Sequence, residues 1–426
     1  MKQTTVVFTT LFLIAVVLVL PMKAWATNPG FTPAELRAAY DVNPLIQSGY
    51  TGKGVTVAIV NSGIDGTFSG DLNAFSNYYG LPNPVFSIVR PNGPAGTDKE
   101  TPNMETTADA EFVHAMAPDA KLLLVLVGSS FSGPAGFSYV IDHNAADIAT
   151  VSPSRYWTGS AGMDSVQLYN EKFEATVQDK ITLIAASNDW GSNNSVQWGT
   201  TIGEFWTKYL PQSYLMPQYS PFVTAVGGTA LTLQHGGYGS EVGWSQSGGG
   251  PSNLFPQPSW QKGPGVPQNG YRDIPDIALD ASCETPYAFV WHGSPNYWFC
   301  GTSAGAPTFA GIVADIDQAA GGRVGFLNPI LYSLGSSDSD VYHAVTTGCS
   351  LVQVGASTRN GYCAHAGWNF VTGWGSVDAA KLATQLAPSA HIVIPEFPFG
   401  APLVFAIALV MIGLLLRRRH LNVRVQ

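Results

Sequence analysis

Four short apolar runs rich in β-branched residues recur along the chain: Val55–Val60, Lys121–Val127, Ile181–Ala186 and Phe222–Val226. Each ends near Gly, Asn or Asp and is shorter than a helix that buries a face of its own. Runs apolar at nearly every position suit strands covered on both sides, which is the condition of a parallel sheet. Helical or loop material lies between them. The pattern predicts an α/β domain, a parallel sheet with helices on both faces and a site at the carboxyl ends of the strands. The 46 Gly and 29 Pro fit long, turn-rich connections. Charged residues are 12% of the chain, the net charge is −9 and the body has no long basic run, so nucleic acid is excluded as a partner. No repeat or low-complexity linker divides the chain, and one continuous domain over residues 27–388 is expected.

Both ends carry membrane signals. Met1-Lys2 precedes an apolar run from Val6 to Leu20, and Ala24-Trp25-Ala26 offers a small-x-small cleavage site, so residues 1–26 are expected to be a signal peptide. A Pro-rich linker, 389–398, leads to a charge-free apolar stretch at 399–416, long enough to be a C-terminal transmembrane helix. The basic tail 417–426 begins Arg417-Arg418-Arg419 and should stay in the cytoplasm, which places the domain outside the cell, at its surface. Ile394-Pro395-Glu396-Phe397-Pro398 resembles the Pro-Glu-Phe motif of archaeal surface-sorting signals, with a plain anchor as the alternative. Four cysteines allow three pairings; the local one, Cys283 with Cys300 and Cys349 with Cys363, closes two short loops. Disulfides suit an exported chain.

Chemistry concentrates at a few positions. Ser303 lies in Gly301-Thr302-Ser303-Ala304-Gly305-Ala306-Pro307, a small-residue turn just before an apolar helical run. Such a turn presents a hydroxyl as a nucleophile, and the backbone N–H groups at the helix start face developing negative charge. A serine needs a base. Upstream, Thr101 and Pro102 predict the start of a helix over Met104–Met116, which Pro118 ends. Glu105 and Asp109, four apart on that helix, share a face. Two carboxyls that close share a proton, and such a pair can accept one from Ser303 in acid, where an imidazole is already charged. The plain alternative is a solvated acidic face; Glu111 lies off it. Asp189 follows the strand-like Thr182–Ala186 and can donate to an oxyanion only when protonated, whereas Asn188 beside it needs no protonation. Otherwise Asp189 is a turn residue bonding its own backbone.

Together these residues resemble the sedolisin, or serine-carboxyl peptidase, family, over most of the mature chain. Phe31-Thr32-Pro33-Ala34-Glu35-Leu36-Arg37 looks like the start of its catalytic domain, and Glu105 to Pro118 looks like its acidic helix. Val226-Gly227-Gly228-Thr229, Ser247-Gly248-Gly249-Gly250, Pro275-Asp276 and the Ser303 motif follow in family order. The resemblance implies a subtilisin-like fold and an endopeptidase of protein or peptide substrates, active in acid through an acyl-serine. It implies Ser303 as nucleophile, Glu105 as general base and acid, Asp109 orienting Glu105, and Asp189 at the oxyanion. The related subtilisin group fits less well. Asn61 stands where its aspartate strand should carry Asp, and none of the eight histidines has its His-Gly-Thr setting; His114 reads as a satisfied core or surface residue.

The chain departs from the family in three places. Ala344 and Asn369 stand where two calcium-binding aspartates are expected, so no tight calcium site and no other cofactor is expected. Only a few residues separate the signal cleavage site from Thr32-Pro33, where a prodomain is usual. The segment Val151–Trp157 lacks the glycine of the family's substrate-binding strand. A catalytically inactive surface binding protein is therefore the rival reading, and a monomer is expected in either case.

Overall fold

In the central strands successive side chains go to opposite faces, and both faces are apolar. Along Thr56–Asn61 (β1), Val57 and Ile59 enter one core while Ala58 and Val60 enter the other. The computed structural model describes residues 30–92, 104–128, 133–152, 163–192, 217–337, 340–354 and 358–392. The expected signal peptide, transmembrane stretch and basic tail lie outside these residues, as do Thr101, Pro102 and most of the Pro-rich linker. Among the described residues no helix is long and apolar enough to cross a membrane.

After β1 come Val85–Val89 (β2), Lys121–Leu126 (β3), Ile148–Val151 (β4), Thr182–Ala186 (β5) and Thr224–Gln234 (β6). Gly237–Gly243 (β7) returns antiparallel along β6. A ribbon of Gly250–Pro256 (β8) and Tyr271–Ile274 (β9) leads to Ile277–Asp280 (β10), and a hairpin of Tyr287–Trp291 (β11) and Ser294–Phe299 (β12) follows. In space the order is β10-β6-β5-β4-β1-β3-β2, with every neighbouring pair parallel. The predicted parallel sheet is therefore present, with β7 as an antiparallel addition at β6.

Two helices cover one face. Met104–Met116 contributes Ala108, Phe112 and Val113, and Thr302–Ala320 contributes Phe309, Ile312 and Val313, to a shared core. Each large apolar side chain so buried stabilises the fold by about 1.5–3 kcal/mol. The two helices approach closely at Gly311, where a Cβ would stand 2.6 Å from that of Met116. Helices Gly133–Asp142 and Met163–Asp179 cover the other face, through Phe137, Val140 and Phe173. All four cysteines are paired locally, Cys283–Cys300 and Cys349–Cys363.

The motif around Pro275-Asp276 turns out to be structural. Asp276, fully buried, accepts from Arg272 Nη1 and Nη2 at 2.8 and 2.6 Å, from Ala225 N at 2.8 Å and from Tyr332 Oη at 3.0 Å. Ser247 does similar work, accepting Gly228 N at 2.8 Å and donating to Val371 O at 2.7 Å.

Candidate active site

Parallel strands all deliver their carboxyl ends to one edge of the sheet. β1, β4 and β5 are neighbours, so Asn61, Ser152 and the Ser187–Ser192 loop emerge side by side. The Met104–Met116 and Thr302–Ala320 helices pack over this edge and add Glu105, Asp109 and Ser303. The acidic face is not solvated: Asp109 is 1% exposed, and Glu105 is half-buried, with Oε1 buried and without a partner. Ser303 stays partly open to solvent at the start of its helix.

The Ser303 and Ser152 hydroxyls both lie close enough to Glu105 to favour its ionised form. Burial raises the Glu105 pKa above its ordinary value and the Asp189 charge adds to this, while the two hydroxyls oppose it. Burial also raises Asp109, followed by the charge of Glu105; Ser152 and Asn61 pull the other way. Two acids close enough for the charge of one to act on the other, with a serine hydroxyl beside Glu105, can take up and return a proton. His114 is elsewhere: fully buried, it bonds the carbonyl of Pro82 through Nε2 at 3.0 Å, and burial lowers its pKa to about 4. Glu111 is also buried and accepts Val290 N at 3.0 Å, fastening β11 to the acidic helix.

Asp189 does not bond its own backbone. Its Oδ1 accepts from both N and Oγ1 of Thr302, each at 2.8 Å, which ties it to the residue beside Ser303. Gly301 makes this possible: its φ of 112° favours glycine, and a Cβ there would lie 2.5 Å from Asp189 Oδ2. Burial raises the Asp189 pKa, against the two Thr302 donors. Asn188, the alternative donor, has Oδ1 engaged by Trp190 N at 2.9 Å and Nδ2 buried without a partner. The structure thus gathers Glu105, Asp109, Asp189 and Ser303 at one edge. Sequence reasoning did not assign Ser152, Asn61 or Thr302 to this site. Their signal is positional: Asn61 ends β1, and Ser152 comes directly after β4.

A calcium ion would need oxygen acceptors from the 344–369 region. Ala344 offers no side-chain oxygen. Asn369, 1% exposed, directs Nδ2 at the carbonyls of Val345 and His365, both at 3.3 Å. Its Oδ1 accepts Val371 N, Thr372 N and Thr372 Oγ1 at 3.0, 3.0 and 3.2 Å. An amide donor already faces the carbonyls, and the amide oxygen is fully engaged, so these residues do not fit calcium.

No family model matches the chain. It is 32% identical over 390 residues to kumamolisin of Bacillus sp. (strain MN-32), covering 86% of this chain and 65% of that protein. It is 28% identical over 387 residues to sedolisin of Pseudomonas sp. (strain 101), covering 85% of this chain and 62% of that one. The chain thus spans less than two thirds of the length of these relatives. Among solved structures, Pseudomonas sedolisin, a serine-carboxyl proteinase complexed with two molecules of pseudo-iodotyrostatin, superposes with a TM-score of 0.70 at 26% identity. That match covers 85% of this chain and 99% of the other. With its parallel sheet and the acidic helix packed against the serine helix, the chain belongs to the sedolisin family and has the subtilisin-like fold.

Proposed function

We propose that the chain is a serine-carboxyl endopeptidase that hydrolyses peptide bonds in acid through an acyl-serine intermediate. The observation that carries this reading is the approach of Glu105 to Ser303, with Asp109 behind it and Asp189 tied to Thr302. Ser303 Oγ attacks the peptide carbonyl as its proton passes to Glu105. The tetrahedral oxyanion takes a hydrogen bond from protonated Asp189. Because Oδ1 is occupied by Thr302, the proton belongs on Oδ2, the oxygen facing Gly301. Glu105 then returns its proton to the leaving amine, and water, activated by Glu105, releases the acyl group. Activity falls in strong acid as the Glu105–Asp109 pair fills with protons, and falls toward alkali as Asp189 ionises.

Two disulfides and the sequence signals at both ends support secretion or a cell-surface position, with membrane attachment through 399–416. The substrates are proteins or peptides, the chain acts as a monomer, and no tightly bound calcium holds the 344–369 region.

The test is turnover of a denatured protein substrate between pH 3 and 8, with an active-site-directed serine reagent applied in acid and at neutral pH. Ser303→Ala should lower turnover by about 10³-fold or more. Labelling of Ser303 in neither condition would sink the peptidase reading in favour of an inactive binding protein. Labelling mainly at neutral pH would point to a different base.

A further inference from the structure

Two neutral side chains grip Asp109, and the mechanism above gives them no task. Asn61, 5% exposed, donates from Nδ2 to Asp109 Oδ2 at 3.4 Å. Its own Oδ1 accepts Ser62 N at 2.7 Å, which fixes the amide so that its donor end faces the acid. Ser152, 2% exposed, donates from Oγ to the other oxygen, Asp109 Oδ1, at 3.1 Å, with the carbonyl of Ser303 as a longer second acceptor at 3.4 Å. The two donors leave adjacent strands at the same level, Val60 lying opposite Val151 in the β1–β4 register.

The charged groups facing the pair are acids. Glu105 lies on Asp109's own helix, and Asp189, beyond β5, acts on Glu105. The groups presented by β1, by the end of β4 and by the Thr302–Ala320 helix are Asn61, Ser152 and Ser303, all neutral. Among the described residues no cation acts on either member of the pair. In such surroundings both carboxyls hold protons strongly, and a pair carrying two protons has no room for a third. Donors to the ionised form are what remains to oppose this.

We propose that Asn61 and Ser152 are positioning residues that weaken the hold of Asp109 on its proton, so that the pair can still receive the proton of Ser303. The inference rests on the serine-carboxyl reading of the site. An ionised aspartate at position 61 would do the reverse, adding a third negative charge to the cluster, so the amide suits the task.

The experiment is the pH profile of kcat/KM for the wild type, Asn61→Leu, Ser152→Ala and Ser152→Thr. Loss of one donor to a charged group should raise the midpoint of the acid limb by about one pH unit. Ser152→Thr, which keeps the hydroxyl, should restore it. A merely structural role would lower activity evenly across pH, and an acid limb unmoved in both Asn61→Leu and Ser152→Ala overturns the proposal. Infrared titration of the carboxyl band that Asp109→Asn removes gives a readout without turnover. Its midpoint should rise in Asn61→Leu, and equal midpoints overturn the proposal. If wild-type turnover survives Ser303→Ala, the reading of the site fails instead, and the infrared titration still decides the role of Asn61.

Discussion

Asp189 and Glu105 are both half-buried acids, yet in the proposed mechanism they need opposite protonation states. Glu105 must be able to lose its proton, whereas Asp189 must keep one. Thr302 supplies two donors to Asp189 Oδ1, so replacing the acid by an amide preserves an acceptor there and a donor at the other position. Asp189→Asn should therefore keep activity in acid within about tenfold of the wild type and extend it toward neutral pH, because an amide does not ionise. The sign follows from the acid's pKa, which burial raises: the donor form is present below that value and disappears as pH rises through it. Asp189→Ala removes the donor and should lower kcat by about 10²–10³-fold at every pH. The pH profiles of the two variants check this; an alkaline limb unchanged in Asp189→Asn would refute it. The same reasoning makes Gly301→Ala damaging, since its Cβ would strike Asp189 Oδ2 and the backbone φ of 112° does not suit alanine.

At the scale of elements, the loop carrying Asp189 is held from behind by a disulfide-closed hairpin, Cys349–Val354 with Thr358–Cys363. Ser192 joins them: its N–H donates to Ser350 O at 3.3 Å, its Oγ lies 2.6 Å from Ser350 Oγ, and Tyr362 N donates to it at 3.0 Å. Replacing Cys349 and Cys363 by serine should lower stability by about 3 kcal/mol, the loop-entropy value for a loop of this size, measured by denaturant unfolding. Turnover should fall further than stability alone explains, as the Asp189 loop loosens. The Arg272–Asp276 pair is a second such element. Removing one partner strands a buried charge, and Arg272→Met should cost about 3–5 kcal/mol. Local chemistry made the Met104–Met116 helix legible, since its spacing and Pro118 bound it, and the parallel strands followed from their apolar runs. The four residues Glu105, Asp109, Asp189 and Ser303 were legible through motif order. Asn61 and Ser152 were not, because each meets Asp109 across more than 40 residues of chain, through strand register that no local pattern encodes. The acidic helix illustrates the same limit: its Glu-x-x-x-Asp spacing looks the same on a wet face as on a buried one, and only the packing of the Thr302–Ala320 helix distinguishes them.

Across the whole molecule, acids are buried far beyond the site. Asp280, Asp315, Glu111 and Glu241 all lie in the core, and burial raises the pKa of each. Burial likewise brings Asp317 to about 7 and Asp273 to about 6. A carboxyl whose folded pKa lies above its unfolded one binds protons more tightly when folded. Its contribution is full below the unfolded value, near 4, and is lost as pH rises through the folded value. For Asp273 and Asp317 that window runs from about 4 to about 7. The domain should accordingly melt higher at pH 4 than at pH 7.5, by roughly 5 °C or more, the reverse of a fold held by exposed ion pairs. Thermal unfolding across pH checks the sign, and Asp317→Asn should flatten the slope between pH 5 and 7.5. Calcium should leave these curves in place, because Asn369 already spends its amide on the carbonyls of Val345 and His365. A melting temperature that climbs with micromolar calcium would mean that the 344–369 region finds oxygen ligands elsewhere. Acid would then stabilise the fold through protonated core carboxyls, over the same range in which the Glu105–Asp109 pair is proposed to work, so that stability and chemistry would share one pH window.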